Sequence, residues 1–436
     1  MSSEDEVLIM RQAVEIQPSG PLRGKIRPPG SKSLSLRALL CAALAEGESL
    51  LTGLLQSDDT QAMIDCLSCL GIEITQTGGG TRVIGCGGRL PIDAAELYAG
   101  DSGATARFLT ALLTLGRGIY QLDGSRRLRE RPLAELLQAL RALGGHIISQ
   151  SENDCLPIVV HGAGLQGGQT TVACDRSSQF LSALLMVASY AAGEVELVIS
   201  GEPVSRPYVD LTLAVMKAFG VQPAAATSTR YLIRPGRYCG CRYAVEADAS
   251  AAGYFFAAAA ITQGKITVEG LSRDSRQGEL GFCRLLEQMG CQVEYGDKQT
   301  TVIGRPLHGI DADLRDNSDL APTLAAVALF AAGRTSLRGI AHARYKESDR
   351  IGDLAAELRK LGAEVKEHAD GLEITPRPLH GAIVDPHGDH RLTMSLALVG
   401  LKTKGIVIND AHCVSKSYPR FFDDLLSLIR QSRTEG

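Results

Sequence analysis

An α/β chain of two domains, built by repetition of a small α/β module, is what this sequence predicts, and three observations predict it. First, one pattern occurs six times: a short polar or charged cluster, an Ala/Leu-rich helical run, a glycine turn and a β-rich segment. The clusters stand at Lys32–Arg37, Asp101–Arg107, Asp175–Gln179, Asp248–Ser250, Asn317–Asp319 and Gly388–Arg391. Second, five intervening units carry a further helix that ends in a glycine before a strand: CLSCLGIEI, QALRALGGHI, AVMKAFGVQP, LEQMGCQV and ELRKLGAEV. Their glycines, Gly71, Gly144, Gly220, Gly290 and Gly362, are separated by 73, 76, 70 and 72 residues. So regular a spacing means internal duplication, and it is too long for a common solenoid. Third, short β runs such as TRVIG, LPIVV, VELVIS, KITVEG, TSLRGI and GIVIND alternate with these helices, as they do where helices cover sheet surfaces.

The elements then follow in order. Residues 1–30 form a strand-bearing arm that ends in the Pro28-Pro29-Gly30 turn. Three repeats fill a domain at 31–246, and three more fill 247–436. Because the arm precedes the first repeat, it is free to pair with the second half. Two strands then cross between the domains, near Gly30 and near Ala247, and a double crossing makes a natural hinge.

Composition narrows the function classes. The 436 residues are 44% hydrophobic and 22% charged, as in a soluble globular protein long enough for two domains. A formal charge of −4 offers no global basic field for nucleic acid. The acidic start MSSEDEVLIM has no basic leader, and the apolar stretch from Phe180 to Ala192 is broken and too short to span a bilayer. A cytoplasmic location and no membrane partner are therefore expected. Eleven cysteines, an odd number, suit reduced thiols. Cys66 and Cys69 form a lone CxxC, read as packing residues one helical turn apart. Cys239 and Cys241 likewise lack a second pair or a histidine at metal spacing, so no metal is expected.

Chemistry concentrates at the helix starts. In PGSKSLSLRALL, Ser31 or Ser33 can cap a helix whose first turn, with Lys32 and Arg37, would suit a phosphate or carboxylate. AGDSGATARFL places Gly103 where a backbone must approach something closely, with Arg107 one turn on. In SRRLRERPLAELL, Arg126, Arg127, Arg129 and Arg131 crowd the approach to a helix for which Pro132 suits the first position. Like charges there imply an anionic ligand or an acidic partner for at least one, and Arg131 is the choice. DRSSQFLSALL offers Ser177, Ser178 and Gln179, and VSRPYVD adds Ser205 and Tyr208, all neutral donors suited to phosphate and a hydroxyl-rich ring.

The second half changes character. Asp248, Asp319 and Asp389 put carboxylates at helix starts. ARYKESDRI packs Arg344, Lys346, Glu347, Asp349 and Arg350 into seven positions, with Lys346 and Arg350 spaced for one helical face. GDHR supplies His390 and Arg391, and CVSKSYPRFF supplies Lys416. Hydrogen bonds to charged groups contribute about 1.5–3 kcal/mol, so the cations should dominate anion affinity if both sets of helix starts face one cleft. Carboxylates would repel such a ligand, and proton transfer supplies the reason for them. There is no Walker loop, no dinucleotide GxGxxG and no zinc motif, which points to cofactor-free group transfer between small anions.

Together PGSKSLSLRALL, AGDSGATAR, RERP, SSQFLSALLM, RYKESDR, GDHR and VSKSYPRFF resemble the 5-enolpyruvylshikimate-3-phosphate (EPSP) synthase family, in order from about residue 20 to 428. The resemblance implies a two-domain inside-out α/β barrel-like fold of six βαβαββ repeats. It also implies transfer of an enolpyruvyl group from phosphoenolpyruvate to shikimate 3-phosphate, on the way to chorismate and the aromatic amino acids. Carried over by position, Lys32, Ser33, Arg37, Ser177, Ser178, Gln179, Ser205, Asp319 and Lys346 would hold shikimate 3-phosphate, with Tyr208 and His342 beside them. Lys32, Gly103, Arg131, Gln179, Glu347, Arg350, His390, Arg391 and Lys416 would hold phosphoenolpyruvate. Asp319 would take the proton from the hydroxyl and Glu347 would protonate the methylene, with Lys32 alongside. No cofactor and a monomer are expected.

Leu36, Ala104 and His342 depart from the family pattern. At His342 an asparagine expected to touch the shikimate phosphate is replaced. The related transferase acting on UDP-N-acetylglucosamine uses a cysteine near the arginine-rich segment, and Gly116 to Pro132 contains none. A non-catalytic anion-binding relative is disfavoured because Asp319 and Glu347 are both present.

Overall fold

A computed structural model of the chain describes residues 13–434; the acidic start read as lacking a leader lies outside them. The chain divides into two compact units, Gly30–Val245 and Glu246–Gly436 with the chain start up to Pro29. Each has its own hydrophobic core.

Among the described residues there are six sheets, five of four strands and one of three. The same pattern recurs: an edge strand pairs in parallel with the next, and further strands follow antiparallel. The second repeat shows it plainly, with Ala94–Tyr98 parallel to Ile119–Asp123, then Ile158–His161 and His146–Ser149 antiparallel. Its helices Gly103–Leu113 and Ala134–Ala142 complete a βαβαββ order. At each chain crossing the leading strand is exchanged. Arg23–Ile26 runs into the first repeat's helix but pairs with Lys265–Glu269, whereas Arg242–Ala244 runs into the fourth repeat's helix but pairs with Glu46–Thr52. Ala13–Ile16 completes the last sheet against Ile406–Asn409.

The helices are the interior of each unit and the sheets its outer layer. Every residue of the Ala249–Thr262 helix is buried, while strands such as Ile119–Asp123 alternate exposed and buried side chains. A helix of Ala, Phe, Ile and Tyr interrupted only by small Ser, Gly and Thr residues has no polar face to turn to water, and burying each large side chain contributes about 1.5–3 kcal/mol. The second helix of five repeats stops where the repeat glycine takes a left-handed φ, from +83° at Gly71 to +110° at Gly290, a conformation glycine adopts without a Cβ penalty.

Burial also explains where the polar clusters stand. In the Lys32–Leu44 helix every residue from Leu34 onward is buried, and in Gln179–Ala188 every residue but Gln179. Only the helix starts are left for chemistry. The cysteines are all free; Cys66 is buried as expected, but Cys69 is exposed and so is not a packing residue. Among the described residues no helix is long and apolar enough to cross a membrane.

Candidate active site

The Gly30–Val245 unit assembles a cationic cluster. Ser31 caps the Lys32–Leu44 helix, accepting from the Leu34 N–H at 3.5 Å. Lys32 Nζ lies 3.0 Å from the carboxylate of Asp59, a buried residue in the first turn of the Asp58–Cys69 helix that sequence reasoning did not select. Arg37 stands a turn further in. Its guanidinium donates to the Thr212 hydroxyl at 2.7 Å, the Ser33 carbonyl at 2.9 Å, and the Ser182 hydroxyl and Tyr208 carbonyl at 3.2 Å. The rings of Phe108 and Tyr208 pack against it, their centres 5.2 and 5.9 Å away. Arg37 is therefore a buried, clamped cation, not the charge at the helix mouth that its spacing suggested.

Gly103, the first residue of its helix, is hemmed in by two guanidinium groups. A Cβ there would stand 2.8 Å from Arg131 Cζ and 2.9 Å from Arg107 Nη1. The close approach expected at this glycine is thus to arginine side chains. Arg107, also buried, donates to Gln179 Oε1 at 2.7 Å and to the Pro132 carbonyl at 2.9 Å, and stacks on Phe180. With its oxygen taken, Gln179 presents its amide NH₂ as donor. The Ser177 hydroxyl accepts from the Gln179 backbone N–H at 3.2 Å, and Ser178 is buried beside it at the N-cap. Ser205, buried, holds a left-handed φ of +55°, a strained conformation for a residue with a Cβ.

The arginine-rich approach differs from expectation. The helix after Pro132 begins at Ala134 with Leu133 as its cap, so Pro132 is not its first residue. Arg131 sits instead in the turn after the short Arg126–Arg129 helix and is buried. Its neighbours meet acidic partners within the chain, Arg129 with Asp123 at 2.5 Å and Arg127 with Glu130 at 3.1 Å.

The other unit assembles a cluster in which cations and carboxylates interlock. Asp319, in the turn Ser318–Leu320 that leads into the Ala321–Ala328 helix, accepts from Arg350 Nη1 at 2.8 Å, Arg391 Nη2 at 2.9 Å and Lys346 Nζ at 3.4 Å. Arg350, 1% exposed, also reaches Glu347 at 2.7 Å and the fully buried Asp389 through Nε at 2.6 Å. Asp389 caps the His390–Ala397 helix by accepting from the Arg391 N–H at 2.8 Å and takes a hydrogen bond from Ser348 at 3.1 Å. From the sequence, Asp389 is a helix-start carboxylate with no site role assigned. His390 is buried with Nδ1 3.8 Å from Asp389, and Lys416 is buried at the end of the turn Ala411–Lys416.

Lys346 and Arg350 do not share a helical face. A 3₁₀ turn ends at Tyr345, Lys346 is extended, and the helix begins only at Gly352. The two side chains converge on Asp319, so long-range charge pairing overrides the local spacing.

Electrostatics follow the geometry. Burial alone would raise the Asp319 pKa, but Arg391, Lys346 and Arg350 outweigh it and hold the carboxyl well below the usual range. Burial likewise works against the Arg350 charge, and Asp389, Glu347 and Asp319 more than restore it. His342 is buried, with Nε2 2.9 Å from the Ser318 hydroxyl. Burial, aided by Lys346, lowers its pKa to about 4, so it is neutral at pH 7. The arrangement thus offers cations for anionic groups and an ionised carboxylate for proton traffic. No group of three or more metal-ligating side chains occurs among the described residues.

Comparison with known proteins gives a consistent match. Residues 16–425 match the family described as EPSP synthase (3-phosphoshikimate 1-carboxyvinyltransferase). Proteins named 3-phosphoshikimate 1-carboxyvinyltransferase from Nostoc punctiforme and Shewanella sp. (strain ANA-3) are 42% and 43% identical to the chain. They align over 94% and 95% of it and over 97% and 99% of their own lengths. The structure of EPSP synthase from Acinetobacter baumannii superposes with a TM-score of 0.80 at 28% identity, covering 97% of this chain and 98% of that one. The enolpyruvyl transferase NikO from Streptomyces tendae, 19% identical with a TM-score of 0.77 over 96% of this chain and 97% of its own, shares the fold.

Proposed function

The chain belongs to the EPSP synthase family and transfers the enolpyruvyl group of phosphoenolpyruvate to shikimate 3-phosphate, and from that premise we propose how its residues divide the work. Lys32, Ser177, Ser178, Gln179, Ser205 and Lys346 hold shikimate 3-phosphate, with Ser33, Arg37 and Tyr208 forming the wall behind them. His342, being neutral, adds a hydrogen bond to that group and no charge. Arg131, Arg350, Arg391 and Lys416 hold the two acidic groups of phosphoenolpyruvate; Gly103 leaves their approach open, and His390 lies beside them.

Asp319 takes the proton from the attacking hydroxyl. At rest it is a weak base, because three cations stabilise its charge. A phosphoenolpyruvate anion competes for Arg350 and Arg391 and adds negative charge, and both effects raise the proton affinity of the carboxylate. Glu347 delivers a proton to the methylene carbon as the hydroxyl oxygen bonds to the adjoining carbon, giving a tetrahedral adduct; phosphate then leaves while a proton is taken back from the new methyl group, which restores the double bond, and Lys32 steadies the negative charge passing between them. A cytoplasmic monomer that works on small anions without a cofactor completes the reading.

The observation that carries this proposal is the convergence of Lys346, Arg350 and Arg391 on the one carboxylate of Asp319. Phosphate release from the two substrates tests it. Asp319→Ala should keep shikimate 3-phosphate binding in calorimetry but lose about 10²–10⁴-fold in kcat. A near-normal kcat would remove the role assigned to Asp319.

A further inference from the structure

Glu357 stands in the Gly352–Lys360 helix, in the ELRKLGAEV stretch read from sequence only as a helix that ends in a glycine. It is 1% exposed. A carboxylate taken out of water needs donors, and a helix that merely packs would place an apolar side chain there. One donor is local: Lys360 Nζ, on the same helix, lies 2.8 Å from Oε1. The others belong to the loop between the Ala382–Val384 strand and the His390–Ala397 helix. Oε2 accepts from the Asp385 backbone N–H at 3.0 Å, and Oε1 lies 3.0 Å from His387 Nε2. His387 has a left-handed φ of +54°, which a residue with a Cβ keeps only where its surroundings hold it. Asp385 Oδ1 accepts from the His387 N–H at 2.8 Å, and the Pro386 carbonyl accepts from the Asp389 N–H at 2.9 Å, so the loop turns tightly and ends on Asp389.

We propose that Glu357 is a positioning residue for the arginines assigned to phosphoenolpyruvate. The inference rests on that assignment of Arg350 and Arg391. One stretch of chain grips the loop at two points. At its start the Ser348 hydroxyl and Arg350 Nε donate to the Asp389 carboxylate, at 3.1 and 2.6 Å. Seven residues after Arg350, Glu357 holds Asp385 and His387. Asp389 in turn accepts from the Arg391 N–H at 2.8 Å, so the place where the loop delivers Asp389 sets the place from which both arginines reach out. A single grip would leave the loop free to pivot about Asp389. Two grips fix it, and with it the spacing of the two arginines. Glu357 acts through the loop and takes no part in proton transfer.

Steady-state kinetics with shikimate 3-phosphate and phosphoenolpyruvate test this on Glu357→Ala and His387→Asn, together with thermal melting of the ligand-free proteins. Glu357→Ala should raise KM for phosphoenolpyruvate about tenfold or more, as a misplaced binding group does, and leave KM for shikimate 3-phosphate within about twofold. His387→Asn keeps a residue suited to the left-handed backbone and removes the ring that meets Glu357. That side chain is 36% exposed, so its loss should not unfold the protein, and KM for phosphoenolpyruvate should rise about two- to tenfold, the loss of one hydrogen bond. If Glu357→Ala does not fold, His387→Asn decides alone. A wild-type KM for phosphoenolpyruvate in either folded variant overturns the inference. So does an equal rise in both KM values, which would make Glu357 an ordinary structural anchor. Arg391→Lys measured alongside separates the two failures: if it leaves KM for phosphoenolpyruvate unchanged, the assignment of Arg391 fails; if it raises that KM while the Glu357 and His387 variants do not, only the present inference fails.

Discussion

Lys32, Arg37, Arg107 and Arg131 in one unit and Lys346, Arg350 and Arg391 in the other all gather at or near helix starts, but different oxygens hold them. In the first cluster Arg37 and Arg107 donate to hydroxyl, amide and carbonyl oxygens, and Asp59 faces Lys32. In the second, Asp319, Glu347 and Asp389 match three cations one for one. Neutral acceptors fix a guanidinium in place without cancelling its charge, so the first cluster keeps a field for anions. Carboxylates cancel the charge of the second and make it a rigid network through which a proton can be passed. The cations of the first cluster are held mainly by neutral oxygens, those of the second by carboxylates with which any anion must compete.

Asp389→Ala probes the second cluster most severely. It strips the bidentate partner from Arg350 and leaves a buried charge poorly compensated, at a cost of about 3–5 kcal/mol. Calorimetry of the ligand-free protein should show a Tm lower by roughly 10 °C. A loss below about 1 kcal/mol would mean that the network is not rigidly interdependent and would break the comparison.

His342 bears on the same cluster, because burial first and the Lys346 charge second keep it from taking a proton, against the pull of Asp319. Its folded pKa, about 4, lies below the ordinary value of 6.5. Between those values the unfolded chain binds more protons, so stability falls as pH drops through that window and levels off below it. The shift corresponds to roughly 3 kcal/mol. Urea melts at pH 7 and pH 4.5 should show this loss in the wild type and a smaller one in His342→Asn. Equal slopes for the two proteins would contradict a buried neutral histidine.

The smallest expected effect on stability, and a clear one on affinity, is that of Arg131→Gln in the first cluster. KM for phosphoenolpyruvate should rise about 10–100-fold, the loss of a charged hydrogen-bond donor, with Tm within a few degrees of wild type. A Tm drop as large as that of Asp389→Ala would make Arg131 structural and erase the contrast between the clusters.

Much of this was legible in the residues. The six polar clusters fall at the starts of six buried helices, and the repeat glycines end the second helices, because apolar periodicity and the need for a left-handed residue are local properties. Gly103 was marked as a point of close approach, but what approaches it, Arg107 and Arg131, lay beyond local reading. ARYKESDRI misled for a related reason: a spacing of four suggests a helix, whereas the shared attraction of Lys346 and Arg350 to Asp319 is satisfied by an extended residue after a 3₁₀ turn. Asp59 carried no motif at all. Its importance comes from Lys32, which lies on a different helix.

By itself, then, the sequence determined the modules, their number and the polar residues at their helix starts, since those depend on burial and backbone preference within short segments. The sequence allowed two strands to cross, and only the tertiary structure fixed the partners and register of strands 23–26 and 242–244 and the choice of which carboxylate holds which cation. Partners such as Arg350 with Asp389, or Arg391 with Asp319, are 39 and 72 residues apart. The energy of such pairs is set by distance and burial in the folded chain, and both of those are produced by packing.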